Sequence, residues 1–118
     1  MFEKRKLSRV LFCTDAEIKN SSYEYKGQVT DLSLKSAFIK TSSLEMLQER
    51  DPIRLKLLMS GVSTNSYIEI EGEIQRLDDE GIAVKFNSMD IDSFIYLKNI
   101  VAYNDGDHQK IVAEYLEL

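Results

Sequence analysis

From Val10 to Phe86 the chain repeatedly alternates apolar and polar residues with a period of two, the mark of strands with one buried face. Val10, Phe12, Ala16 and Ile18 can share one face and predict a first strand. Asn20-Ser21-Ser22 signals a turn, after which Tyr23-Glu24-Tyr25 alternates again. Gly27 precedes Gln28-Val29-Thr30, and the polar segment Asp31-Leu32-Ser33-Leu34-Lys35-Ser36 then reads as a connection. Ala37-Phe38-Ile39-Lys40 resumes an extended pattern. Residues 42–49 suit one helical turn or a structured loop, closed by Asp51-Pro52. Ile53-Arg54-Leu55-Lys56-Leu57 alternates apolar with basic residues, and a Ser-, Gly-, Thr- and Asn-containing loop follows at 60–66. The clearest alternation is Ile68-Glu69-Ile70-Glu71-Gly72-Glu73-Ile74. Its carboxylates lie on the wet face and read as a solubilising surface rather than a cation site. Asp78-Asp79-Glu80-Gly81 makes a tight connection into Ile82-Ala83-Val84-Lys85-Phe86.

Beyond Asp90 the period changes. Ile91, Phe94, Ile95, Leu97 and Val101 recur at helical spacing, with Asp90 or Asp92 placed to cap. Asn104-Asp105-Gly106 ends that helix, and Asp107 can cap a second whose stripe is Ile111, Val112, Tyr115 and Leu116. That stripe is expected to pack on the body, with a partner or a second copy of the chain, a homodimer, left open. Six or so short strands followed by helices predict a mainly β protein, a closed or nearly closed antiparallel barrel.

With 118 residues and an apolar fraction of 43%, the chain suits one domain with one core. No apolar run approaches the roughly 20 residues of a membrane-spanning helix, so no membrane insertion is expected. The charged start Met-Phe-Glu-Lys-Arg-Lys leads into no secretory-type apolar stretch, and a cytoplasmic location is expected. The single Cys13 cannot form an internal disulfide, and with His108 as the only histidine no zinc-type cluster can be assembled. Cys13 sits in the run Val10-Leu11-Phe12-Cys13 and is expected to be a packed thiol, while His108 is expected at the surface. No cofactor is implied. The net charge of −5 argues against nucleic acid as partner, since phosphate backbones call for a basic face. Yet Lys4, Arg5, Lys6 and Arg9 gather positive charge at the start of the chain. An acidic body with a basic arm suits a small anion.

Two short constellations stand out. Arg5-Lys6-Leu7-Ser8-Arg9 places two arginines four apart before the first strand, and Asp31-Leu32-Ser33-Leu34-Lys35-Ser36 lies between two strands. Together with Gly81-Ile82-Ala83-Val84-Lys85-Phe86, in this order, they resemble the PilZ family. Its signature is RxxxR in an N-terminal arm, (D/N)xSxxG on the barrel, and a late strand of the form GIGVxF. The resemblance covers roughly the first hundred residues. It implies a six-stranded antiparallel β-barrel that binds cyclic di-GMP, a bacterial second messenger, with Arg5, Arg9, Asp31, Ser33 and Ser36 as the ligand-binding positions. The organisation expected is an arm at 1–9, the barrel with its helix at 10–103, and a helical tail at 104–118.

The chemistry of these positions suits that ligand. Guanine offers O6 and N7 as paired acceptors, which a planar guanidinium meets with two hydrogen bonds. The same group can stack on the base or clamp a phosphate. The N1–H and N2–H donors can be accepted in pairs by a carboxylate such as Asp31. Ser33 can contact a phosphate oxygen or fix the turn, and Asp31 and Ser33 can also simply build an Asx-type turn. The arm is expected to be mobile without ligand and to close over the nucleotide. Ser36 stands where the family has glycine. Were φ positive there, its Cβ would cost about 1–2 kcal/mol, weakening binding without abolishing it. Tyr23, Tyr25, Phe38 and Phe86 read as core or cross-strand aromatics rather than ligand contacts.

The leading reading is therefore a receptor, not an enzyme, whose occupied state presents a changed surface to a protein partner. No nucleophile–base pair or metal cluster can be assembled from the motifs. A degenerate, PilZ-like interaction adaptor without nucleotide is one alternative. A small barrel binding single-stranded nucleic acid is the other, against which the acidic charge weighs.

Overall fold

The structure is a computed structural model and describes residues 9–42, 47–58 and 67–105, together with 113, 114 and 116. The two-residue period folds into six strands: β1 (Val10–Lys19), β2 (Glu24–Leu32), β3 (Ser36–Lys40), β4 (Pro52–Leu58), β5 (Tyr67–Leu77) and β6 (Gly81–Met89). A helix, α1 (Ile91–Asp105), follows. The strands close into an antiparallel barrel in the order β1-β2-β3-β6-β5-β4. Closure gives every strand a neighbour on both sides, so none is an edge strand, although β1 and β4 meet only over Ala16–Lys19 and Arg54–Leu57. Arg5, His108, the 60–66 loop, Asp107, Ile111, Val112 and Tyr115 lie outside the described residues, as does 43–46 of the 42–49 segment.

Local chemistry explains the hairpins. The Asn20 side chain accepts hydrogen bonds from the backbone N–H of Ser22 and Tyr23, and Asn20 N–H donates to the Tyr23 carbonyl, reversing the chain between β1 and β2. Asp78 does the same between β5 and β6, accepting from the N–H groups of Glu80 and Gly81. Ahead of β4, Arg50 takes a left-handed φ of 72°, and its N–H reaches the Ile74 carbonyl at 2.6 Å. Gly81 allows the tightest approach in the barrel. A Cβ there would collide with the Ile39 carbonyl of β3, and one at Gly72 would collide with the Lys85 carbonyl of β6.

The interior is filled by branched aliphatic side chains from every strand, among them Ile18, Val29, Ile39, Leu55, Ile70, Ile74 and Ile82. Their alternation with exposed residues is what the period of two requires. Cys13 is exposed, contrary to the packed thiol expected from its apolar neighbours. Along β1 the even-numbered residues from Val10 to Ile18 turn inward, so Cys13, like Leu11, is on the outer face. Strand parity decides, not local composition.

Helix α1 packs on the barrel through Phe94, Leu97 and Val101, and the Asp90 carboxylate caps it by accepting from Ser93 N–H at 3.1 Å. Ile91 and Ile95, expected on the buried stripe, are exposed. At 3.6 residues per turn Ile95 stands roughly 200° around the helix from Leu97, and a helix on a barrel has one buried side. Of the second predicted helix, residues 113, 114 and 116 are helical. Leu116, expected in its apolar stripe, is exposed, and Glu114 is buried.

Candidate functional site at the motif-bearing rim

The pairing register brings Arg9, Asp31, Ser33 and Ser36 to one end of the barrel. Val10 opposes Leu32, so Arg9, just ahead of β1, lies beside Ser33. Leu32 opposes Ala37, and Ser36 opposes Lys85 of β6. The start of β1, the end of β2, the start of β3 and the end of β6 thus share a rim. The N-terminus of α1 is at the same end: it follows β6 directly, and Glu69 N–H of β5 donates to Ser93 Oγ.

The segment Asp31 to Ser36, expected as a polar connection, is half ladder and half turn. Asp31 and Leu32 belong to β2 and Ser36 to β3, leaving Ser33, Leu34 and Lys35 as the turn. Ser33 is 2% exposed. Its Oγ accepts from the N–H of Ser36 at 3.1 Å and of Lys35 at 3.3 Å, and it meets Ser36 Oγ at 2.9 Å. Ser33 N–H donates to the Ser36 carbonyl at 2.8 Å. Of its two expected roles, the structure displays the turn-fixing one. The turn is also tied to the barrel: Phe86 N–H donates to the Lys35 carbonyl at 2.8 Å. Leu34 is buried and borders a cleft of about 230 Å³ lined also by Phe86, Met89 and Phe94.

Ser36 does not have the positive φ that would make the family's glycine necessary. Among the described non-glycine residues only Arg50 has one. The backbone penalty expected for serine therefore does not arise, and its hydroxyl adds a contact that glycine lacks.

Asp31 does not build an Asx turn. It is half-buried on the outer face of β2, and among the described residues its carboxylate has no hydrogen-bond or ion-pair partner. Arg9, Lys35 and Lys85 are exposed nearby and form no ion pair with any described residue. An acceptor group that shares a rim with exposed cations can take a ligand that carries both N–H donors and anionic oxygens. Of the three, Lys85 also stands opposite Glu73 of β5. Lys35 and Lys85 were not singled out from the sequence. Lys85 could have been found from strand parity, because Val84 and Phe86 on either side point inward. Wider clefts of about 410, 340 and 640 Å³ lie beside the β1–β2 turn, beside the β6–α1 junction and beside the β5–β6 turn, and none is lined by Arg9, Asp31, Ser33 or Ser36.

Solved structures share this architecture. The inhibitor of motility MotI/DgrA of Bacillus subtilis superposes with a TM-score of 0.70 at 15% identity, over 87% of this chain and 50% of its own. This chain thus spans half the length of that protein. The PilZ domain of YcgR from Escherichia coli, solved with c-di-GMP, gives 0.68 at 13% identity over 94% of this chain and 98% of that one. The PilZ domain of CeSA from a cellulose-synthesizing bacterium gives 0.65 at 18% identity over 80% and 94%. Identities this low speak for the fold alone. No curated protein matches the sequence. The PilZ domain family model does match, over residues 3–103, from the basic arm to the end of the barrel and into α1, and the chain belongs to the PilZ domain family.

Proposed function

We propose that this protein is a cyclic di-GMP receptor, a binding module and not an enzyme, that signals to a protein partner when occupied. The observation that carries this reading is the register placing Arg9 beside the Ser33 turn and next to the unpartnered Asp31, on one open rim. Arg9, with Arg5 from the arm, would meet guanine O6 and N7 or a phosphate, and Asp31 would accept from N1–H and N2–H. Ser33 and Ser36 hold the turn that presents these groups. In this reading the arm at 1–9 supplies a second wall by folding over the nucleotide. Closure there alters the surface next to α1, where a partner can read it. That YcgR's PilZ domain holds c-di-GMP and that MotI is an inhibitor of motility support both halves of the reading.

Titration calorimetry against cyclic di-GMP, linear pGpG and a short oligonucleotide tests it. Cyclic di-GMP is expected to bind, with Arg9→Ala and Arg5→Ala each weakening it by about 2 kcal/mol or more through a lost charge-assisted contact. Tight binding of the oligonucleotide alone, or full affinity in both arginine variants, would overturn the assignment.

A further inference from the structure

The register lines up one residue from each of four strands across the outer wall. Leu11 of β1 opposes Asp31 of β2, Asp31 opposes Phe38 of β3, and Phe38 opposes Ala83 of β6. Residues directly opposed in an antiparallel ladder project from the same face, with Cβ atoms about 4.5–5.5 Å apart. Burial agrees, since Ala37, Ile39, Ile82 and Val84 are interior while Phe38 and Ala83, between them, are not. The result is a half-buried phenyl ring on the outer face of the barrel, directly across the ladder from a carboxylate that has no partner among the described residues. Leu11, 85% exposed, extends the apolar surface on the other side of Asp31.

An outward aromatic on a strand ordinarily packs on a cross-strand ring or branched side chain. Phe38 has Asp31 and Ala83 as its two cross-strand neighbours, neither of them large enough to cover a whole ring; Phe38 is half-buried, and the remaining part of its ring is open. A guanine base needs what this row offers: a flat apolar surface for its π face and, at the edge of that surface, an acceptor for N1–H and N2–H.

We propose that Phe38 is the stacking floor for a guanine of the cyclic dinucleotide, positioned so that the base edge meets Asp31. This rests on the receptor reading above. Ala83 keeps the floor open, because a larger side chain there would lie against the ring. Leu11 packs on the sugar or the base margin beyond the carboxylate.

The sequence contains no tryptophan, so Phe38→Trp installs a single reporter at the site. Its emission is expected to be quenched on titration with cyclic di-GMP, whereas Tyr23→Trp, at the far end of the barrel, is expected not to respond. Phe38→Leu keeps an apolar side chain but removes the ring, and it is expected to weaken binding about tenfold in calorimetry with the wild-type circular dichroism spectrum retained. Should Phe38→Leu fail to fold, the tryptophan reporter decides alone. If the reporter stays silent and Phe38→Leu binds like wild type, while Arg9→Ala and Asp31→Asn both weaken binding, the receptor reading stands and the Phe38 floor is wrong. If the wild-type protein binds no cyclic di-GMP, both fall.

Discussion

Ser33 directs its hydroxyl at the protein's own backbone: it closes the β2–β3 turn by accepting two N–H groups and meeting the Ser36 hydroxyl. Replacing it by alanine takes the acceptor away from two part-buried N–H groups. Ser33→Ala is therefore expected to lower unfolding stability by about 1–3 kcal/mol, read from urea denaturation, and to weaken ligand binding through the displaced turn. Ser36→Gly should behave differently. The position is regular strand, so glycine removes a hydroxyl contact and adds unfolded-state freedom, a loss of about 0.5–1 kcal/mol. Its nucleotide affinity is expected to stay within about threefold of wild type. A tenfold gain in calorimetry would show instead that the serine Cβ crowds the ligand.

At the scale of elements, α1 depends on a capping carboxylate. Hydrogen bonds from the Ser93 side chain and then its backbone N–H hold the Asp90 carboxyl below the ordinary carboxylate range. A group with a depressed folded-state pKa adds stability that is complete above its unfolded value and is lost as pH falls through the folded one. The urea midpoint is therefore expected to fall on acidification from pH 7 to about pH 3, and to fall less in Asp90→Asn, which caps without titrating. Equal pH slopes in the two proteins would remove Asp90 from the account. The sequence narrowed the cap to Asp90 or Asp92 at the head of the helical period, and the structure selects Asp90. Which apolar residues α1 buries was not legible in the sequence. Ile91 and Ile95 match Phe94 and Leu97 in hydropathy, and only the barrel wall selects between them.

The whole molecule depends on closure, where strands distant in sequence meet at backbone distance. Gly81 lies against the Ile39 carbonyl, so Gly81→Ala must push β3 from β6. A loss of about 1–3 kcal/mol is expected in thermal or urea unfolding, against less than about 0.5 kcal/mol for Ser21→Ala in the exposed β1–β2 turn. Because β3 and β6 carry Ser36 and Lys85 to the rim, the glycine variant should also bind cyclic di-GMP less tightly than the serine one.

Periodicity, turn chemistry and motif order are properties of short stretches, and they were enough for six or so strands followed by a helix ending near Asn104-Asp105-Gly106, and for the candidate positions Arg5, Arg9, Asp31, Ser33 and Ser36. Other features required the closed barrel. Cys13 and Phe38 face outward, Ser33 is buried in its turn, Ser36 has ordinary backbone geometry, and Lys85 comes to the rim beside Ser36. The physical reason is that facing and burial depend on which strand lies opposite. Register couples residues far apart along the chain and carries no signature in the residues on either side.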